Sequence, residues 1–275
     1  MPEITHANQV RGAEFKRLVA KPFTWILTLG FALVAGIGTG AFLGPAVGLI
    51  GFAVIVLLGM LITFAIADSK AEDAFYAAFA ESRGLSRSDG SLGPMTPLLR
   101  KGDSRKTNEL FTGKLADDLE GNLALYTYTV ESTDSDGDRT ETEYPFTVVT
   151  FQVPETVEHI PELMLQRKSG LKALEKFEDT FRRDHERVTL ESEAMRERYE
   201  IFVKKEQDAI WVRRLFSPSF IVWLTDTPPK KYAFELVEGA LCCFVPKHRD
   251  NTEGFDEMIS VSCEVARRLR DEAIS

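Results

Sequence analysis

Three glycines spaced two apart, Gly36, Gly38 and Gly40, have a spacing that could hold a phosphate group. A dinucleotide-binding loop has the pattern G-x-G-x-x-G after a buried strand, with an acidic residue about 20 positions further on. Here the sixth position is Ala41, and the first acidic residue that follows is Asp68. The sequence therefore does not predict a nucleotide site, and no cofactor is expected.

A calcium loop is the second chemistry that the residue spacing suggests. With Ser132 as position 1 of an EF-hand loop, Asp134, Asp136, Gly137 and Glu143 fall at positions 3, 5, 6 and 12. An EF-hand loop begins with a carboxylate and joins two helices, whereas this loop begins with serine and joins two stretches typical of β-strands. We interpret the loop as the acidic turn of a hairpin, and no metal site is predicted.

The histidines and cysteines do not favour catalysis either. No H-x-x-x-H pair places two histidines on one helix face, and the four are His6, His159, His185 and His248. We expect His185, in the charged stretch RRDHER, to be exposed. Cys242 and Cys243 are neighbours on a predicted strand, so at most one should face the core; with Cys263 they make an odd count that is typical of a reducing compartment. No catalytic residue is predicted.

The glycine-rich stretch belongs instead to a long uncharged segment. No Asp, Glu, Lys, Arg or His occurs from residue 22 to residue 67. A membrane helix needs about 20 apolar residues, and Gly44-Pro45 interrupts the run near its middle. The sequence therefore predicts a transmembrane helical hairpin with helices at residues 23–43 and 46–67. The run is too long for the apolar region of a signal peptide.

A four-residue spacing gives the glycines a structural role in this hairpin. Gly36, Gly40, Gly44 and Gly48 are predicted as helix-packing positions, because small residues let helix backbones approach closely in lipid. Two interpretations stay open at this point. The glycine face packs the hairpin against itself, or it forms a homo-oligomer.

Positive charge sets the expected orientation. Arg11, Lys16, Arg17 and Lys21 precede the first helix, whereas the turn at Gly44-Pro45 carries no charge. Because positively charged flanks stay in the cytosol, we expect a two-helix protein of the cell inner membrane with both termini cytoplasmic. The same four residues could contact lipid headgroups, so membrane lipid is the first expected partner.

The rest of the chain is acidic. The net charge is −9, and the first 67 residues carry four basic and two acidic side chains, which leaves −11 for residues 68–275. This charge argues against nucleic acid as a partner. The predicted organisation is a hairpin with a cytosolic helical extension at residues 1–83, a linker rich in Ser, Gly and Pro at 84–106, and a soluble domain at 107–275. Whether the soluble part is one domain or two stays open.

The soluble part has the pattern of an α+β domain with antiparallel strands and several helices. Residues 122–132 and 143–154 predict a strand hairpin, and a second pair turns at Glu238-Gly239. Further strands are predicted at 162–168, 187–192 and 197–205. Helices are predicted from Ser169, on both sides of Ser217-Pro218, and at the C-terminal end. The aromatic residues around that proline are expected in the core; they are Trp211, Phe216, Phe220 and Trp223.

Several of these stretches together resemble a bacterial family of uncharacterised two-helix membrane proteins with a cytosolic domain of unknown function. They are TPLLRKGDSRKTNELFTGKL, YTYTVES with YPFTVVTFQVP, the segment from VTLESEAM to SFIVWL, and YAFELVEGALCCFV. The resemblance covers the hairpin and the chain from Thr96 to the C-terminal helix. It implies a bacterial membrane location and carries over no catalytic residue.

These observations favour an integral membrane protein that presents a cytosolic binding or scaffold domain to a cytosolic or membrane protein. One alternative is a membrane-tethered enzyme whose residues converge from separate segments. Another is a subunit of an oligomeric channel or transporter, which two uncharged helices disfavour because they offer no polar pathway.

Overall fold

The computed structural model describes residues 15–133, 137–167, 184–205 and 209–274, together with residues 12 and 207. The chain forms two compact units. The first consists of Met1–Arg83 with Asp250–Thr252, and the second of Gly84–Arg249 with Glu253–Ser275. Each unit is described by itself.

Two long apolar helices dominate the first unit. Helix α1 spans Pro22–Leu43 and helix α2 spans Pro45–Arg83, and both are long and apolar enough to cross a membrane. Gly44 joins them with a φ of +100°, a conformation that favours glycine, and Pro45 is the first residue of α2. Large apolar side chains on both helices are exposed in the isolated chain, which is compatible with a hairpin in lipid.

Among the described residues of the second unit, nine antiparallel strands form one sheet, in the order β1-β2-β3-β4-β9-β8-β5-β7-β6. The strands are β1 Ser86–Ser88, β2 Ser104–Ala116, β3 Leu119–Thr133, β4 Arg139–Gln152, β5 Glu162–Arg167, β6 His185–Val188, β7 Tyr199–Lys204, β8 Ala233–Val237 and β9 Ala240–Pro246. The mixed α+β class is therefore confirmed.

Both hairpins expected from the sequence are present. Strands β3 and β4 pair out to Thr133 opposite Arg139, at the acidic turn that resembles an EF-hand loop. Strands β8 and β9 turn at Glu238 and Gly239, which have φ values of 47° and 80°. Two positive φ values are typical of the type I′ turn that suits a two-residue hairpin. Residues 134–136 of the acidic turn and the helix predicted from Ser169 lie outside the described residues.

The helices of the second unit are mostly short. They are α3 Pro97–Arg100, α4 Glu193–Arg198, α5 Ala209–Leu215, α6 Pro218–Asp226 and α7 Thr252–Ile274, with a 3₁₀ turn at Pro154–Thr156. Pro218 separates α5 from α6 because proline favours the first position of a helix and disrupts a preceding one. Phe216 and Phe220 are buried as expected, whereas Trp211 and Trp223 are half-buried.

The central strands of the sheet are covered on both faces. On the first face, α7 buries Phe255, whose ring centroid lies 6.0 Å from that of Phe111 on β2. On the second face, Leu98 and Leu99 of α3 pack on aromatic side chains of β3, β4 and β9. The alternation of strand side chains thus places apolar residues on both sides, as in a buried sheet.

The structure differs here from the linker predicted at residues 84–106. Strand β1 pairs with β2 in this segment, and α3 lies on the sheet. The Ser, Gly and Pro content of the segment predicted a linker. The segment is ordered instead, because Leu98 and Leu99 pack on the apolar surface of β3, β4 and β9. Burying two leucines is worth about 3–6 kcal/mol, which offsets part of the entropy cost of ordering this segment.

Candidate functional site

A loop segment crosses the second face of the sheet and covers its most aromatic part. We call residues 89–103 the strap, and the surface beneath it the aromatic groove. The side chains that define the groove are Tyr126, Tyr128, Phe146, Val148, Cys242 and Phe244. Leu98 and Leu99 of the strap are almost completely buried in it, and Leu92 and Met95 pack at its margin.

A glutamate lies at the base of the groove. Glu235 is on the central strand β8 and is fully buried. Its Oε2 accepts a hydrogen bond of 2.8 Å from the backbone N–H of Leu98, and Oε1 has no partner at normal hydrogen-bond geometry among the described residues. Burial raises the pKa of Glu235 to about 7, and the Leu98 N–H, Thr96 and Lys101 oppose the rise. This carboxyl group therefore titrates near neutral pH.

A lysine of the strap is buried beside the groove. Lys101 is only 2% exposed, and its Nζ lies 6.0 Å from the ring centroid of Tyr128. Burial lowers the pKa of Lys101 to about 8, and the negative charge of Glu235 opposes this change. The strap therefore brings two groups of opposite charge out of water, which carries a desolvation cost.

The three cysteines are all buried, which corrects the expectation that at most one of Cys242 and Cys243 faces the core. The physical reason is that both faces of β9 are covered. Cys242 faces the groove, whereas Cys243 lies near Tyr232 and Ser262 on the face covered by α7. Burial raises the pKa of Cys242 well above its usual value and that of Cys243 to about 12. These thiols are protonated at neutral pH and are poor nucleophiles.

The histidines that the structure describes are engaged in separate contacts. His185 is not exposed as expected: its side chain is 9% exposed, and Nε2 lies 2.7 Å from Glu162 Oε2. Strand pairing places His185 opposite Lys204, whose Nζ lies 3.3 Å from the other oxygen of Glu162. His248 contacts Thr127, and His159 stacks on Trp211. Among the described residues, no group of three potential metal ligands comes together.

The predicted glycine positions separate into two groups in the hairpin. Gly36 and Gly40 of α1 lie against Gly48 of α2: a Cβ atom added at Gly48 would be 2.5 Å from the carbonyl oxygen of Gly36. This contact is within one chain. Gly44 is not a helix-packing residue, because it lies in the turn and a Cβ atom there would meet no atom within 4 Å. Its role is the positive φ of the turn.

The basic residues before α1 lie at the start of the described chain. Lys16, Arg17 and Lys21 are exposed, and Arg11 lies outside the described residues. Near them, the indole N–H of Trp25 donates to the carbonyl oxygen of Val19 at 2.7 Å. An indole with a satisfied N–H beside exposed cations is the arrangement found at membrane–water interfaces.

The sequence analysis did not predict that Glu235 and Lys101 are buried close to each other beneath the strap. Glu235 stands in the middle of the apolar run YAFELV, and a single glutamate in a strand that is buried on both faces must be inside the protein. That signal was present, but it requires knowing that β8 is a central strand. Lys101 gave no comparable signal, because it belongs to the basic stretch LLRK of a predicted linker.

The fold and the site define a mixed α+β protein with two helices compatible with a membrane location. No protein-family model matches the sequence, and no curated protein matches it. The chain is similar to the crystal structure of the mycobacterial trehalose monomycolate transport factor A, TtfA. The two are 11% identical, the likeness covers 71% of this chain and 90% of that chain, and the TM-score is 0.44. A likeness at this level carries no functional assignment.

Proposed function

We propose that the protein is anchored in the inner membrane by the hairpin of α1 and α2, and that its α+β unit binds a protein partner on the cytosolic side. The uncharged run from residue 22 to residue 67, which α1 and the first part of α2 contain, supports the anchor. The exposed cations Lys16, Arg17 and Lys21 support the orientation, because positive flanks stay cytosolic and attract anionic headgroups.

One observation favours binding over catalysis. Three side chains with strongly shifted pKa values already make structural contacts or are buried. Glu235 accepts the Leu98 N–H beneath the strap. Asp118 is held by Arg267 and Arg270, and these contacts lower the pKa of its carboxyl group. Cys242 is buried as a thiol. A catalytic group needs access to substrate: Glu235 and Cys242 are fully buried, and both oxygens of the exposed Asp118 are bound by arginine side chains.

A membrane-tethered enzyme is the second candidate, and the proximity of Glu235, Lys101 and Cys242 is the observation that favours it. A carboxyl group that titrates near pH 7 is suited to acid–base chemistry. This candidate requires the strap to open for substrate. Binding is the simpler proposal because it requires no reacting group.

The first prediction concerns the membrane anchor and the partner. In a native membrane preparation, the full chain should stay in the pellet after an alkaline wash and should be released only by detergent. Native mass spectrometry of the detergent extract should then give a complex that contains one chain of 30.8 kDa and a second protein at fixed stoichiometry.

Release by the alkaline wash would contradict the anchor. A spectrum that contains only the chain, or only multiples of its mass, would contradict the binding of another protein. Multiples of the mass would instead indicate the homo-oligomer that the sequence left open.

A further inference from the structure

We draw no further inference here: the strongest candidate, the apolar groove between helix α6 and the loop at residues 189–192, which Leu190, Phe216 and Val222 line, carries no proposal because nothing in the described part of the chain shows what covers it.

Discussion

Replacing Gly48 by leucine is expected to separate the two membrane helices. A Cβ atom at this position would lie 2.5 Å from the carbonyl oxygen of Gly36 and 2.8 Å from the Cα atom of Gly40. Both atoms belong to the backbone, so no side-chain rotation relieves the overlap. Overpacking in a core costs about 1–3 kcal/mol when side chains relax, and here whole helices must move, so we expect a cost at or above the upper end.

Disulfide formation across the hairpin measures this separation. A Cβ atom at Gly51 would lie 3.1 Å from the hydroxyl oxygen of Thr39, so cysteines introduced at these two positions should cross-link readily. Gly48→Leu should reduce the cross-linked fraction several-fold. Gly38→Leu adds the same volume to α1 at a position with no atom within 4 Å, and it should leave cross-linking unchanged.

Equal cross-linking in the Gly48→Leu and Gly38→Leu chains would show that the glycine contact is not what holds the hairpin together. The mass of the detergent-solubilised chain adds a second comparison. It should be the same for all three proteins if the contact is internal. A fall in mass with Gly48→Leu alone would indicate contact between copies.

Replacing Glu235 by glutamine is expected to stabilise the protein at pH 8. The pKa of Glu235 rises from 4.5 to about 7 in the folded chain, even with the attraction of Lys101 included. At about 1.36 kcal/mol per pKa unit, ionising the buried group costs roughly 3 kcal/mol. Glutamine keeps an oxygen that accepts the Leu98 N–H and carries no charge, so it removes this cost.

The sign of the effect follows from the direction of the pKa shift. Because the folded pKa of Glu235 is raised, the folded state binds more protons, and stability falls as the pH rises from about 4.5 to about 7. The cost is fully present above pH 7 and absent below about 4.5, where both states are protonated. Thermal unfolding of the full chain in detergent should therefore give Glu235→Gln a higher Tm at pH 8, by roughly 6–12 °C, and a smaller difference at pH 5.

The neighbouring turn supplies a control for this pH effect. Glu238 is exposed at the end of the same strand, and Glu238→Gln should change the Tm little at either pH. A Tm for Glu235→Gln that is lower than that of the unmodified chain at pH 8 would mean that the carboxylate stabilises the strap as an ion. That outcome would contradict the desolvation cost inferred for the buried Glu235 carboxylate.

The two hairpins of the sheet could be predicted, because each is specified by residues that are close together in the sequence. Two nearly continuous apolar runs and the turn residues Glu238-Gly239 between them specify β8 and β9 without reference to the rest of the chain. The break between helices α5 and α6 could be predicted in the same way, because Pro218 itself causes it. The hairpin in the first unit follows from its long uncharged run and from the interruption at Gly44-Pro45.

The strap and the groove could not be predicted, because they depend on contacts between residues that are far apart in the sequence. Leu98 and Leu99 are a short apolar pair in a segment rich in Gly, Ser and Pro, and their burial depends on strands that begin after residue 103. The burial of Cys242 together with Cys243 depends on covers over both faces of β9, which strand alternation does not reveal. His185 was expected in solvent because its neighbours in sequence are charged, but its strand partner brings it to Glu162.

The membrane topology gives the most direct test of the proposed function, because that function requires the α+β unit to lie in the cytosol. A reporter enzyme that is active only outside the cytosol is fused in one chain after Gly44 and in another after Ser275. We expect strong activity for the fusion in the turn between α1 and α2, and none for the fusion at the end of the chain. Strong activity after Ser275 would contradict the account, because it would place the α+β unit outside the cytosol.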